Sequence, residues 1–303
     1  MRAFCFGLLF FAPLLVACSD DEPAGTGGAA STTASTAASG GTGGAGGAPI
    51  VVDSSKSCGH AHNDYEHERP LLDALDHGFC SVEADVFLVD GELLVGHTES
   101  ALDPTRTLQS LYLDPLRTLA GDGALEQDGV AIGPHGGPLQ LLIDVKTSAE
   151  PTWAALDPIL ASYSDILTEF AEGTTTPGAV TAVISGGRAQ ETMAAATLRY
   201  AAIDGRIGDE SEPVAPTVPA SLVPLVSQNW VTLFAWFADE PFPSAQQAQL
   251  LGYVEEAHTS DRLVRFWSTP DTPAAWAVLA AAEVDLINVD DLAGLQAFKA
   301  EHD

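Results

Sequence analysis

The chain has 303 residues, with 42 Asp and Glu against 12 Lys and Arg and a formal net charge of −30. Such a charge repels nucleic acid and anionic lipid and excludes both as electrostatic partners. Within residues 51–303 neither a Gly-x-Gly-x-x-Gly nor a Walker loop occurs, which removes the main nucleotide-binding folds.

Residues 4–16 are apolar behind a single basic residue, Arg2, and fall short of the ~20 residues a membrane helix needs. A charged start and a short apolar run describe an export signal over 1–17. Its end, Leu15-Val16-Ala17-Cys18, looks like a bacterial lipobox, which makes Cys18 an acylated N-terminus. Residues 18–50 are rich in Gly, Ala, Ser and Thr and have little apolar surface to offset the entropy of ordering. They read as a flexible tether of roughly 30 Å. The chain is therefore expected outside the cytoplasm, on the cell envelope (periplasmic or at the surface), touching the membrane through its lipid only.

Residues 51–303 match the ~250 residues of one (β/α)8 TIM barrel. Short β-rich runs at 56–60, 81–87, 139–144, 179–185, 200–204, 225–229, 263–267 and 286–289 alternate with longer Ala- and Leu-rich segments. That alternation predicts parallel strands crossed by helices. Helices are predicted at 153–170, 189–197, 244–258, 273–282 and 292–301, with Thr272 and Asp290-Asp291 as N-terminal caps. An extra strand at 93–96 follows the Asp90-Gly91 hairpin turn. A monomeric single domain is expected. Cys58 and Cys80 are an even pair in an exported chain and so a disulfide candidate, with two buried thiols as the alternative.

Polar residues gather at the C-terminal ends of the predicted strands, where barrels of this kind carry their sites. Glu83 and Asp85 lie two apart on an otherwise apolar strand, so both carboxylates face the barrel interior. Like charges there call for a cation, and oxygen donors without thiolate favour Ca²⁺ or Mg²⁺. Asp144 and Lys146 again share one face, offering the metal a third carboxylate and a phosphate a cationic partner. His62 and His97 are the acid–base candidates, with His60 competing with His62 for the end of the first strand. Trp267 is a candidate cover for an apolar part of the substrate, or a core residue.

These residues resemble the barrel phosphodiesterases related to phosphatidylinositol-specific phospholipase C and glycerophosphodiester phosphodiesterase. The segments His-Asn-Asp-Tyr, Ser-Val-Glu-Ala-Asp-Val and Leu-Leu-Val-Gly-His most resemble the altered-inheritance-of-mitochondria protein 6 branch. The resemblance implies His62 and His97 as catalytic, a metal on Glu83, Asp85 and Asp144, Asn63 as a further ligand, and Lys146 near the phosphate. It implies metal-dependent hydrolysis of a phosphodiester, either a small molecule or a lipid headgroup. The Arg-Gly and Pro-Glu-Asn-Thr segments of glycerophosphodiester phosphodiesterases are absent.

Overall fold

The computed structural model describes residues 54–302 apart from 128, 172 and 208–217. The expected export signal, Cys18 and the tether lie outside the described residues. Eight strands carry the architecture: β1 (Cys58–Ala61), β2 (Ser81–Val89), β3 (Leu139–Val145), β4 (Val180–Gly186), β5 (Ala201–Arg206), β6 (Leu225–Asn229), β7 (Leu263–Trp267) and β8 (Leu286–Val289). Each pairs in parallel with its chain neighbours. The ring closes because β1 pairs with both β2 and β8. This is a closed (β/α)8 barrel.

The alternation of side chains along the strands divides the barrel into two environments. Outward residues such as Val82, Ala84, Leu141, Ile143, Ile184 and Phe266 pack with helix residues Leu156, Leu160, Leu250, Leu279 and Leu295 in the main core. Each Val, Leu, Ile or Phe among them contributes about 1.5–3 kcal/mol by leaving water. Those helix residues lie on α3 (Ala149–Ala161), α6 (Ser244–Thr259), α7 (Pro273–Ala281) and α8 (Leu292–His302), with α1 (Leu72–Asp76), α2 (Asp114–Gly121), α4 (Gln190–Ala195) and α5 (Trp230–Leu233) completing the set. Inward residues Leu142, Val183, Leu225 and Leu286 form a separate small cluster with Cys80 and Cys58. Further along the same faces come Glu83, Asp85, Asp144, Ser185, Asp204, Ser227, Arg265 and Asn288. The barrel thus has an apolar floor and a polar interior above it.

Cys58 and Cys80 form a disulfide with α-carbons 6.0 Å apart, stitching the start of β1 to the entry of β2. Asp90 and Gly91 both take positive φ, 51° and 90°, in the turn that returns residues Glu92–Val95 antiparallel onto β2. Thr272 caps α7 by accepting from the Ala275 amide, and Asp291 accepts from the Gly294 amide at the start of α8.

The predicted helix over 153–170 is corrected. It begins earlier and stops at Ala161, and Phe170 lies on a short strand, Glu169–Ala171. The segment after Ala161 is Ser162-Tyr163-Ser164-Asp165, and Ser162 Oγ turns back to donate to the Ile159 carbonyl at 2.7 Å. Such local bonds compete with helix propagation. The first strand likewise begins at Cys58, not at residue 56. Among the described residues no helix is long and apolar enough to cross a membrane.

Candidate active site

Glu83, Asp85 and Asp144 each offer an oxygen within 4.8 Å of the others, at the upper interior of β2 and β3. The register that sets Asp85 beside Asp144 across the two strands produces this meeting. Asp85 is fully buried and Glu83 is 4 % exposed. Asp85 Oδ2 accepts from the Tyr65 hydroxyl at 2.8 Å and lies 3.0 Å from Lys146 Nζ, which also donates to Asp144 Oδ2 at 2.5 Å. Asp85 Oδ1 and Asp144 Oδ1 are buried with no hydrogen-bond partner. A buried acceptor left without a donor costs about 1–3 kcal/mol, more for a charge. Two such oxygens in a triad of carboxylates are a donor set that fits a hard divalent cation.

The charges have diverged with their surroundings. Burial raises the Asp85 carboxyl to about 6, helped by Glu83 and Asp144 and opposed by Lys146. Burial pushes Glu83 upward, but the adjacent Arg265 guanidinium and the His60 hydrogen bond together outweigh it and hold Glu83 well below the usual carboxylate range. Arg265 Nη2 reaches Glu83 Oε2 at 2.6 Å, and Arg265 is itself held by Asn288 Oδ1 at 2.7 and 2.9 Å.

The histidines separate into two kinds. His60 is fully buried, with Nδ1 on Ser81 Oγ at 2.7 Å and Nε2 on Glu83 Oε2 at 3.2 Å. Burial and then Arg265 bring it down to about 3, so it stays neutral and positions Glu83. His62 directly follows β1, and its Nδ1 meets Asp290 Oδ1 at 2.9 Å just beyond β8. Burial depresses its pKa, but the Asp290 bond and the Glu83 charge more than offset this, leaving it above the ordinary value. His97 sits beyond the hairpin, 3.3 Å from the Tyr65 hydroxyl and 3.6 Å from Asp85 Oδ2, with its side chain 57 % exposed.

Asn63 is one step from the triad. Its backbone is left-handed (φ 46°), which asparagine tolerates, and its side chain meets the Tyr65 hydroxyl at 2.8 Å. Trp267 ends β7 on the face of Arg265 and is half-buried. His135 and His258 both bind Asp285, at the opposite end of β8, and are no part of this cluster.

Three contributors are not singled out as site residues by the sequence. Tyr65 ties Asn63, Asp85 and His97 together, Arg265 pairs with a residue 182 positions away, and Asp290 holds His62. Gly186 is a fourth. Its φ is +63°, and a Cβ there would lie 2.1 Å from Asp144 Oδ1. The sequence Ser185-Gly186-Gly187 could have marked a close approach, but not to which residue.

Residues 50–204 match the family described as AIM6-like phosphodiesterase domain. The chain is 31% identical over 258 residues to an altered inheritance of mitochondria protein 6 homolog from Arthroderma benhamiae, covering 77% of this chain and 81% of that one. It is 31% identical over 271 residues to altered inheritance of mitochondria protein 6 from Eremothecium gossypii, covering 79% and 68%. Among solved structures, a Ca²⁺-dependent phosphatidylinositol-specific phospholipase C from Streptomyces antibioticus aligns with TM-score 0.48 and 13% identity, over 82% of this chain and 98% of that one.

Proposed function

The chain belongs to the AIM6-like phosphodiesterase family, and we propose that it is a metal-dependent phosphoric diester hydrolase working by histidine acid–base catalysis. The substrate class is a phospholipid-derived or glycerophosphodiester-like molecule. The observation that carries this reading is the carboxylate triad with its two orphaned buried oxygens. Glu83, Asp85 and Asp144 would hold the cation, Ca²⁺ or Mg²⁺, with Asn63 beside them. A bound divalent cation supplies polarisation of a phosphoryl oxygen and stabilisation of developing charge.

The chain's own groups supply the rest. Three carboxylates against Lys146 and Arg265 leave one net negative charge, and a divalent cation turns that into one positive charge, the complement of a phosphodiester monoanion. Lys146 lies against Asp85 and Asp144 and adds a donor where a phosphoryl oxygen would sit. Asp290 fixes the Nδ1 side of His62, so Nε2 is the nitrogen left to serve substrate. The raised pKa favours the protonated form of His62, which suits it to act as the acid toward the leaving oxygen. His97 takes the proton of the nucleophile, either water or a substrate hydroxyl. Trp267 covers the apolar part of the substrate. Anchoring through Cys18 on the envelope is part of the same proposal.

A second reading is a phosphodiester-binding lipoprotein without turnover. It is favoured by one observation: Lys146 and Arg265 already pair with the carboxylates, which would let the interior stand as an ion-pair network with no cation and no turnover. Phosphorus NMR of a phosphodiester panel incubated with the chain and each cation decides between them. The enzyme reading expects a product whose formation drops ~10²–10⁴-fold in His62→Ala or His97→Ala. Binding without product at any pH or cation would leave the second reading standing.

A further inference from the structure

Tyr65 is 4 % exposed, and a buried tyrosine needs one polar partner for its hydroxyl. This one has three, and all belong to the site. Its oxygen lies 2.8 Å from Asp85 Oδ2, 2.8 Å from Asn63 Oδ1 and 3.3 Å from His97 Nδ1.

The backbone around Tyr65 sets it firmly in place. The Glu66 amide donates to the Asn63 carbonyl at 2.8 Å, closing a short 3-10 turn over Asp64–Glu66. Buried Asp64 accepts from the Leu71 amide at 2.6 Å and from the Tyr112 hydroxyl at 2.9 Å, which fastens that turn to the segment ahead of α2. Arg106 links Tyr65 to the hairpin before His97: its Nη2 donates to the Tyr65 carbonyl, and its own carbonyl accepts from the Val95 amide at 2.8 Å. His97 itself is loosely held. Its side chain is 57 % exposed, and Tyr65 is its side-chain hydrogen-bond partner among the described residues.

A hydroxyl has one proton and two lone pairs, so the partners fix the direction of each bond. Asp85, in the carboxylate form that ligates a cation, can only accept. It draws the proton in preference to the neutral Asn63 amide, because a hydrogen bond to a charged acceptor is roughly twice as strong. His97 Nδ1 then faces an oxygen with lone pairs to offer, and Asp85 Oδ2, 3.6 Å away, is a second acceptor. A lone pair on Nδ1 would be repelled by both oxygens. A proton on Nδ1 suits both, and in a neutral ring it leaves the lone pair on Nε2.

We propose that Tyr65 is a positioning residue, donating to Asp85 and accepting from the Nδ1–H of His97, so that neutral His97 is held in the tautomer with its lone pair on Nε2. Both histidines are then used alike, since His62 also turns Nδ1 to the protein, through Asp290. The consequence for catalysis rests on the phosphodiesterase reading, in which His97 is the base; the direction of the hydrogen bonds does not.

The test uses the full chain with nitrogen-15 in its histidines, free of cation and at about pH 8.5, above the range in which histidine ordinarily titrates. His97→Gln identifies the His97 signals, and the shifts of the two ring nitrogens report which one carries the proton. The wild type should show Nδ1–H on His97. Tyr65→Phe should move it towards Nε2–H, the tautomer an imidazole in water prefers, whereas a merely structural tyrosine would lower Tm and leave the tautomer where it was. A wild-type His97 with its proton on Nε2, or the same tautomer in both proteins, overturns the proposal. If Tyr65→Phe does not fold, the wild-type spectrum still decides. In turnover at saturating cation, Tyr65→Phe should lower kcat about ten- to a hundredfold with KM little changed. The loss is smaller than the ~10²–10⁴ of a general base because a freed ring still visits the active tautomer. An unchanged kcat also overturns the positioning role. If the wild type cleaves no diester, the phosphodiesterase reading fails and the tautomer still judges the hydrogen bonds.

Discussion

Replacing Arg265 with methionine probes the interior charge arrangement at its most exacting point. Arg265 and Glu83 are 3 % and 4 % exposed, and their 2.6 Å contact has no water to replace it. Without the guanidinium, Glu83 keeps His60 as its side-chain hydrogen-bond partner among the described residues, and the other nitrogen of His60 is committed to Ser81. Removing one partner of a buried pair costs about 3–5 kcal/mol. At about 2–4 °C per kcal/mol for a domain of this size, Tm should fall by roughly 6–20 °C. The loss has a pH signature. Glu83 has a depressed folded pKa, so its pairing stabilises the fold above the unfolded carboxylate pKa and is lost as pH falls through the folded one. Melting curves of wild type and Arg265→Met should therefore lie far apart at neutral pH and approach each other at acid pH. Adding Glu83→Gln to Arg265→Met should recover part of the stability, and a divalent cation should stabilise Arg265→Met more than the wild type. A Tm change within about 2 °C, independent of pH, would refute the reasoning.

Other consequences follow from the same geometry. Asp290→Asn removes the charge that raises His62, so the His62 pKa, followed by proton NMR, and the alkaline limb of any pH–rate profile should both move to lower pH. Asp85 sits at about 6, so cation binding must displace its proton, and affinity measured calorimetrically should fall by about tenfold per pH unit below that value. The same raised pKa means that the metal-free chain loses stability as pH rises from the ordinary carboxylate range through about 6, the buried Asp64 adding to the effect, and added cation should reverse the loss above it. Reducing the Cys58–Cys80 bridge, 22 residues apart, should cost about 3 kcal/mol in denaturant titrations.

Much of the barrel was legible because it rests on local periodicities. Strands at 225–229, 263–267 and 286–289 are found at the predicted bounds, since β-branched runs between turn residues report a buried parallel strand directly. Glu83, Asp85 and Asp144 were legible for the same reason, as acids breaking an apolar alternation. What escaped depends on ring closure. Arg265 stood out only as a polar residue at a strand end, and its pairing with Glu83 exists because β7 and β2 curve round to face one interior. Tyr65 and Asp290 belong to loops whose paths no periodicity describes. The end of α3 was misjudged because the apolar pattern through Ile166 and Leu167 continues past the helix into the approach to β4, where both residues bury in the core without helical geometry.

The account stands or falls on the dependence of phosphodiester turnover on cation concentration, measured with bis(p-nitrophenyl) phosphate for the wild type and Asp85→Asn. The prediction is a saturating rise with Ca²⁺ or Mg²⁺ in the wild type, abolished by chelator, and no cation-dependent turnover in Asp85→Asn at any concentration. Equal turnover by the two proteins, or wild-type turnover undiminished by chelator, would contradict it.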